Sequence, residues 1–388
     1  MSDDALPPIV PMSLRGKLPL SLAQEQFLKL DELISGAAFL HLPYAFRLTG
    51  HLDLARLRRS LQAIVDRHAV LRSVFVESRG RPVQVIRPSR KVAYRLHDLS
   101  ALAAERQRAR MAALSGQDAA RPFDLAKGTP YRFTVIRLAE RRHILLVTLH
   151  HIIADQSSLR VLRAELAEHY RALAAARAVA CAPLPFQFAD FTRWLNTLLE
   201  RGKLDGQIEY WRRELNDPPP RLVFQRGHKR PRAISAQVAR RTITLDDAVV
   251  AKLRRLARQR KTTPFVILLA ALDVWLYRLT RCRDLRVGTL VANRNRPGTE
   301  KLIGYFVNAV VLRARLRPSM TFTELIEQAR GAALGAFAHQ DVPIEVLARA
   351  LRKINWRLRR GLYQVLVNYR QYGFAAQRVA GLTIASYS

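Results

Sequence analysis

The feature that most constrains this chain is a pair of adjacent histidines at the end of an apolar strand. Residues 142–149 are rich in β-formers and alternate in the manner of a strand, and His150 and His151 follow directly. Beyond the turn, apolar residues at helical spacing over 159–173 predict a helix. Asp155 lies between the two elements, four residues after His151. The pattern therefore predicts a strand–turn–helix unit that gathers two imidazoles and a carboxylate.

The two imidazoles are expected to have different roles. Since side chains alternate across a strand, His150 and His151 point to opposite sides and do not easily share one metal ion. No HExxH motif or carboxylate-flanked triad accompanies them, so we expect no metal site. One histidine can face a cleft and accept a proton, because a neutral imidazole with an ordinary pKa of about 6.5 does so at neutral pH. Asp155 is better placed to fix the loop through an ion pair than to act as a second base.

No protein nucleophile accompanies the histidines. The sequence contains no GxSxG elbow, no catalytic-cysteine context, no Walker A motif and no GxGxxG. An enzyme of this kind has a base without a nucleophile of its own, which suits direct transfer of a group from one bound substrate to another. A purely structural alternative stays open at this point, in which the histidines end a strand and the acid caps a helix.

Composition narrows the partners. The 388 residues are 49% hydrophobic, enough for a sizeable core in two or three domains. The formal net charge of +34 has two explanations that stay open here, codon bias in a GC-rich genome and an anionic partner. No zinc-finger spacing, RNA-binding aromatic signature or basic-zipper heptad is present, so we do not expect nucleic acid. The cysteines, Cys181 and Cys282, suggest no disulfide framework and fit a reducing cytoplasm. Without a signal peptide or an apolar run long enough to span a bilayer, we expect a cytoplasmic protein that contacts no membrane.

Strand and helix patterns are interleaved along the chain, which predicts an α/β protein of two layered halves. Residues 1–17 are expected to form a flexible leader, and the halves to span residues 18–180 and 181–388. Among the individual elements, the pattern predicts a strand over residues 236–245 and a buried helix that begins at Pro264.

Five further elements follow one family's motifs in order. They are Ser21-Leu22-Ala23-Gln24, Arg67-His68-Ala69-Val70-Leu71-Arg72-Ser73-Val74-Phe75, Phe186-Gln187-Phe188-Ala189-Asp190-Phe191-Thr192-Arg193-Trp194, Ile303-Gly304-Tyr305-Phe306-Val307-Asn308-Ala309 and His339-Gln340-Asp341-Val342-Pro343-Ile344-Glu345. They resemble the SxAQ, RHExLRTxF, YxDFAxW, IGxFVNT and HQDYPFE elements of condensation domains, and the histidine turn resembles HHxxxD. The chain therefore resembles a condensation domain of nonribosomal peptide synthesis, within the chloramphenicol-acetyltransferase-like superfamily, over residues 21–369.

The resemblance implies a fold and a reaction. It implies two chloramphenicol-acetyltransferase-like halves in a V-shaped pseudo-dimer with a central tunnel, in which an amine or hydroxyl acceptor attacks a carrier-bound acyl thioester. The chain itself is expected to bind no cofactor, since phosphopantetheine arrives on acyl or peptidyl carrier proteins. We expect acidic carriers as partners, with a small-molecule acceptor as a further option, and a monomeric chain.

The resemblance also assigns roles to residues. His151 is expected to face the tunnel and to assist the attack, either as a base or by positioning the nucleophile and stabilising the tetrahedral intermediate. His150 and Asp155 are expected to be structural, with Arg294 as the ion-pair partner of Asp155. Three residues are expected to line the tunnel: Gln156, Ser158 and Asn308.

Three departures from the family bear on activity. The family motif ends in glycine where this chain has Gln156. Glycine permits close approach and a positive φ, so the glutamine either reshapes the acceptor side or impairs transfer. The opening element has Glu25-Gln26 where an arginine and a bulky residue are usual. The second half is also expected to lack the usual last strands and helix, which would expose a sheet edge.

Two other functions stay open from the sequence. One is an O-acyltransferase that uses acyl-CoA or a polyketide carrier, since the same histidine turn would serve it. The other is a catalytically impaired scaffold that binds carriers without transferring a group. Elements flanking the turn favour condensation over epimerisation.

Overall fold

The computed structural model describes residues 6–34, 38–177, 181–218, 221–224, 239–354, 361–370 and 375–387. Its α-helices are α1 Leu22–Leu33, α2 Leu54–Arg67, α3 Ala104–Ala120, α4 Gln156–Ala174, α5 Phe188–Glu200, α6 Asp205–Leu215, α7 Asp247–Gln259, α8 Pro264–Thr280, α9 Phe322–Ala338 and α10 Ile344–Ile354. Its strands are β1 Lys17–Leu18, β2 His41–Gly50, β3 Ser73–Ser78, β4 Arg81–Ile86, β5 Arg95–Asp98, β6 Tyr131–Ala139, β7 Arg142–His150, β8 Asp284–Val291, β9 Asn308–Arg315, β10 Val365–Val367, β11 Gln377–Val379 and β12 Leu382–Ser386. The predicted α/β class is confirmed.

The chain divides into two compact units. The first contains residues 1–203, 292–307 and 371–388, and the second contains residues 204–291 and 308–370. This division differs from the predicted boundary after residue 180, because α5 and two later segments of the chain pack within the first unit. The assignment of two acetyltransferase-like halves stays a prediction.

The main sheet of the first unit positions the histidine turn. Its strand order is β11-β12-β2-β7-β6-β5, so β7 is an inner strand. Every residue of β7 after Arg142 is buried, because β2 and β6 flank the strand and helices cover the sheet. The antiparallel register with β2 places His41 opposite His150. The strand that delivers the turn is therefore held rigidly on both sides.

A second, smaller sheet of the first unit has the order β1-β4-β3. Its hairpin turns at Arg79 and Gly80, which have positive φ angles of 53° and 71°. Gly80 takes such an angle at no steric cost, whereas Arg79 is the uncommon case of a side chain in the left-handed region.

The N-terminal segment differs from the predicted flexible leader. The indole Nε1 of Trp194 donates to the carbonyl of Pro7 at 2.7 Å. The amide of Met12 donates to Asp190 Oδ1 at 2.8 Å. Both partners lie on α5, so the described part of the leader is hydrogen-bonded along that helix.

The second unit contains a three-stranded sheet of order β10-β8-β9 with α8 and α9 packed against each other and against its strands. Helix α8 begins at Pro264, as predicted, and Thr263 caps it by accepting from Val266 N. The predicted strand over residues 236–245 is wrong for its described part, because residues 239–245 form no strand and lie exposed without a pairing partner. A segment with β-forming residues becomes a strand only when a neighbouring strand is present to hydrogen-bond its backbone N–H and C=O groups.

The sequence predicts neither a membrane-spanning helix nor a disulfide framework. Within the described ranges no single helix is long and apolar enough to cross a membrane; α7 and α8 reach that length only as a pair, bent by 105°. Cys181 and Cys282 are both free thiols of intermediate exposure.

The buried acid of α8 makes stability depend on pH. Burial raises the pKa of Asp273 from 3.8 to about 7. The folded chain therefore holds a proton that the unfolded chain loses above 3.8, and stability falls as pH rises from 3.8 to about 7. We expect Asp273→Asn to stabilise the protein little at pH 4 and by up to about 4 kcal/mol above pH 7. Urea titrations across this range test the expectation, with Asp247→Asn, an exposed acid of α7, as the control; a pH-independent difference would contradict it.

Candidate active site

The histidine turn joins β7 to α4 through a capping box. Asp155 is the N-cap residue of α4, and its Oδ1 accepts from Ser158 N at 2.8 Å. In return, Ser158 Oγ accepts from Asp155 N at 3.2 Å. The box satisfies two amide groups that a helix start would otherwise leave unpaired. The turn is therefore fixed at its helical end.

His151 is the more accessible of the two histidines. Its ring is half-buried, and Nδ1 lies 3.2 Å from the carbonyl oxygen of Ala154. Because a carbonyl can only accept, Nδ1 carries the proton in the neutral ring and Nε2 is the unprotonated nitrogen. The geometry thus favours the tautomer that a general base at Nε2 requires.

His150 is fully buried and has the opposite tautomer. Its Nδ1 accepts from the amide of Ile152 at 3.1 Å, so its Nε2 carries the proton. That Nε2 lies 3.9 Å from Asp31 Oδ1, too far for a hydrogen bond. The ring packs against His41 and Phe123, with centroids 5.8 Å and 5.9 Å away. His150 therefore lies in the interior of the first unit.

The same interior holds His41, whose pKa is shifted. Burial lowers the pKa of His41 from 6.5, and the positive charges of neighbouring groups act in the same direction. A hydrogen bond between Nδ1 and the carbonyl of Ala119, at 2.6 Å, partly opposes the shift. The imidazole is thus predominantly neutral at pH 7.

Arg294 and Asp155 contact each other, as the family resemblance predicts. Arg294 Nη2 lies 2.9 Å from Asp155 Oδ1, and the side chains are only 6% and 1% exposed. The same Nη2 lies 3.2 Å from both Ser158 Oγ and the Gly304 carbonyl. Nη1 donates to the carbonyl of Leu302 at 2.7 Å, and the guanidinium lies 4.2 Å above the Phe306 ring. One arginine therefore ties the segment 292–307 to the cap of α4, while its role in function stays a prediction.

Ser158 lies in this network and not on an accessible wall. It is fully buried, and its Oγ donates within the cluster formed by Asp155 Oδ1 and the Gly304 carbonyl, each at 2.9 Å. Gly304 N also donates to Ser158 Oγ at 3.2 Å. Its hydroxyl is therefore engaged by the cap of α4, and its tunnel-lining role stays a prediction without a contact to support it.

Gln156 is the first residue of α4 and is half-buried. Its φ is not among the positive values in the chain, so the glutamine replaces the family's glycine without backbone strain. What the glutamine adds is volume and a polar amide beside the turn.

Asn308 has a structural role within the second unit. Its Nδ2 donates to the carbonyls of Gln340 and Val342 at 2.8 Å and 2.7 Å, and Oδ1 accepts from Ile344 N at 3.1 Å. The residue is 8% exposed. Its amide therefore holds the 340–344 loop, and its tunnel-lining role stays a prediction without a contact to support it.

The structure gives partners to motif residues that had no assigned role. Gln24 is fully buried and its Nε2 donates to the Ile152 carbonyl at 3.0 Å, beside His151. His68 Nε2 donates to Glu165 Oε2 at 2.8 Å. Burial acts to raise the pKa of Glu165, but hydrogen bonds and charge from His68 and Arg67 outweigh it, so the net shift is downward. Gln24 and His68 both lie in the family motifs quoted above. Their motif positions indicate that they matter, but do not indicate which residues they contact.

Two aromatic side chains lie beside His151, and no sequence motif assigns either of them a role. Phe27 and Tyr305 have ring centroids 6.1 Å and 6.0 Å from that of His151. No metal-binding arrangement of three or more His, Cys, Asp or Glu side chains occurs in the part of the chain that the structure describes.

Comparison with known proteins identifies relatives of the whole chain. A family model described as the condensation domain matches residues 14–385. A linear gramicidin synthase of Brevibacillus parabrevis is 37% identical over 384 residues, which are 99% of this chain and 5% of the relative. Phosphinothricin tripeptide synthetase of Streptomyces viridochromogenes is 33% identical over 350 residues, which are 90% of this chain and 32% of the relative. The chain thus spans a small part of each of these synthetases.

Solved structures share the fold. The X-domain from teicoplanin biosynthesis superposes with a TM-score of 0.80 at 28% identity, covering 93% of this chain and 79% of the X-domain chain. The first condensation domain of the calcium-dependent antibiotic synthetase, in complex with a substrate analogue, gives a TM-score of 0.79 at 23% identity, covering 96% and 84%. The predicted fold class is confirmed by these matches.

Proposed function

Since the chain belongs to the condensation-domain family, whose members form amide bonds by acyl transfer between carrier-bound substrates, we propose that His151 performs this reaction here. The observation that carries the proposal is the hydrogen bond from His151 Nδ1 to the Ala154 carbonyl, which makes Nε2 the basic nitrogen. The donor is a carrier-bound acyl or peptidyl thioester. The acceptor is an amine, giving an amide, or a hydroxyl, giving an ester.

The reaction balances with one base. The nitrogen or oxygen of the acceptor bonds to the thioester carbonyl carbon, and Nε2 of His151 takes the proton that the acceptor loses. The tetrahedral intermediate then collapses with cleavage of the C–S bond, and the proton passes to the departing phosphopantetheine thiolate. The residue also contributes by positioning the nucleophile and stabilising the intermediate.

The positive charge of the chain and the thioester chemistry of the reaction together favour acidic carrier proteins as partners. A formal charge of +34 attracts acidic carrier proteins and the phosphate of phosphopantetheine. The chain holds no cofactor of its own in this proposal, because the prosthetic group belongs to the carriers. We place the reaction in the cytoplasm, with the chain acting as a monomer and a small-molecule acceptor as an option.

The proposal is tested by comparing two forms of the acyl donor. The full chain is incubated with an amine acceptor and the same acyl group presented either on a carrier protein or on coenzyme A. Turnover with the carrier-bound donor and little with the coenzyme A thioester is the expected result. Ester formation from acyl-CoA alone would favour the O-acyltransferase function.

A second candidate function is a carrier-binding scaffold without transferase activity. Gln156 in the glycine position favours it. A solved complex of the teicoplanin X-domain with OxyB shows a related fold, at a TM-score of 0.81 and 28% identity, bound to another protein. By analogy this chain would bind its partner without acting on an acceptor.

The substitution Gln156→Gly tests whether the glutamine reshapes the acceptor side of the site or abolishes acyl transfer. Because Gln156 is unstrained, we expect the wild type to be active and the glycine variant to accept bulkier acceptors, with kcat/KM for them on the order of tenfold higher. Glycine at this helix start costs up to about 1 kcal/mol of stability, so Gln156→Ala serves as the control that removes the amide and keeps the backbone preference. Steady-state kinetics with a series of acceptors provides the measurement. A wild type without activity that gains it only as the glycine variant would support the scaffold.

A further inference from the structure

Phe27, Tyr305 and His151 form one cluster of rings. The Phe27 plane lies at 28° to the imidazole, whereas the Tyr305 ring meets it at 87°. Phe27 and Tyr305 also contact each other edge to face, with centroids 4.7 Å apart. These separations fall within the range of about 4.5–7 Å over which aromatic rings attract one another. We call Phe27 and Tyr305 the aromatic pair.

Helix α1 fixes the first member of the aromatic pair. Phe27 lies one helical turn after Gln24, so the two side chains share a face of α1. Gln24 is fully buried and donates to the Ile152 carbonyl at 3.0 Å, while its Oε1 accepts from Ser21 N at 3.0 Å. Helix α1 therefore holds the main chain just after His151 through Gln24 and contacts the imidazole through Phe27.

The capping box fixes the second member. Gly304 N donates to Ser158 Oγ at 3.2 Å, and Phe306 N donates to Asp155 Oδ2 at 3.2 Å. Tyr305 lies between these two anchors, so its main chain is held on both sides by the cap of α4. A Cβ at Gly304 would clash with the Phe188 ring, so the segment has no room to shift towards α5.

The hydrogen bond from His151 Nδ1 to the Ala154 carbonyl is one of the contacts that orient the ring. Its length of 3.2 Å is at the long end of the normal range, about 2.7–3.2 Å, so it constrains the imidazole weakly by itself. The aromatic pair supplies further contacts that oppose rotation of the ring. We propose that Phe27 and Tyr305 are positioning residues that keep Nδ1–H on the Ala154 carbonyl, and that the Asp155–Arg294 pair acts on His151 through Tyr305.

The inference rests on the proposed function only for its effect on rate, since the orientation of the imidazole can be observed without substrate. Nitrogen-15 NMR of the histidine-labelled chain reports the tautomer of His151, assigned by comparison with His151→Ala. We expect the wild type and Tyr305→Phe to show the Nδ1–H form, and Tyr305→Ala and Phe27→Ala to show a mixture of tautomers. In the acyl-transfer assay the two alanine variants should lose about ten- to a hundredfold in kcat, with a smaller change in KM.

Controls keep the test decisive. Phe322→Ala removes a half-exposed aromatic ring on α9 and should change neither readout. If an alanine variant does not fold, Phe27→Leu and Tyr305→Leu, which keep bulk and remove the ring, replace it. An unchanged His151 tautomer and an unchanged kcat in folded variants of both positions overturn the inference. If the wild type transfers no acyl group, the proposed function fails and the NMR result alone decides the positioning role.

Discussion

Replacing His151 by alanine should slow acyl transfer by about 10²- to 10⁴-fold, the usual contribution of a general acid–base residue. The fold should survive, because the side chain is half-buried and the main chain at this position keeps its hydrogen bond to the Leu40 carbonyl at 2.8 Å. Single-turnover rates with a carrier-bound donor measure the loss.

The matched control is His51→Ala, which removes an exposed histidine at the end of β2. It should leave the rate unchanged. Equal rates for wild type and His151→Ala would rule out the chemical role of His151 and leave the turn as a structural feature of the first unit.

Arg294→Ala should be the most destabilising of the substitutions considered, by about 3–5 kcal/mol, because it leaves the Asp155 carboxylate buried without its partner. It also leaves the carbonyl of Leu302 without its donor. Urea unfolding, with Arg254→Ala on the exposed face of α7 as control, measures the loss. A cost below about 1 kcal/mol would contradict this expectation, since a surface ion pair contributes no more than that.

The ion pair itself contributes less than its disruption suggests. Burying two charges costs much of what their attraction returns, so the net contribution of the Asp155–Arg294 pair can be near zero. A double-mutant cycle separates the two quantities. Asp155→Asn combined with Arg294→Leu should be less destabilising than the sum of the single variants, by about 0.5–3 kcal/mol. Strict additivity would show that the two side chains do not depend on each other.

Local sequence patterns predict much of the fold because local chemistry determines it. The alternation before His150, the hairpin at Arg79 and Gly80, and Pro264 at the start of α8 each specify their element from neighbours in the chain. The position of β12 illustrates the limit. It pairs with β2 across more than three hundred residues of sequence, with Leu382 opposite Gly50, and no local pattern encodes that pairing.

The candidate site divides in the same way. The Asp155–Arg294 contact is predicted by the family resemblance, which assigns Arg294 as the ion-pair partner of Asp155. The burial of Ser158 is not predicted, because a serine three residues after an N-cap is equally compatible with an accessible wall and with a closed capping box. Tyr305 is placed beside His151 only by the hydrogen bonds of its neighbours, which depend on tertiary structure. Side-chain partners across distant segments are therefore where reasoning from one sequence stops.

The proposed acyl transfer at the His151 turn can be tested directly on the acceptor carrier. The measurement is intact-protein mass spectrometry of an aminoacyl-loaded acceptor carrier after incubation with an acyl-loaded donor carrier and the full chain. We predict that the acceptor gains the mass of the donor acyl group with the wild type and gains it at a small fraction of that rate with folded His151→Ala. No mass gain with the wild type across acyl and peptidyl donors, or equal gain with both proteins, would contradict the role of this turn.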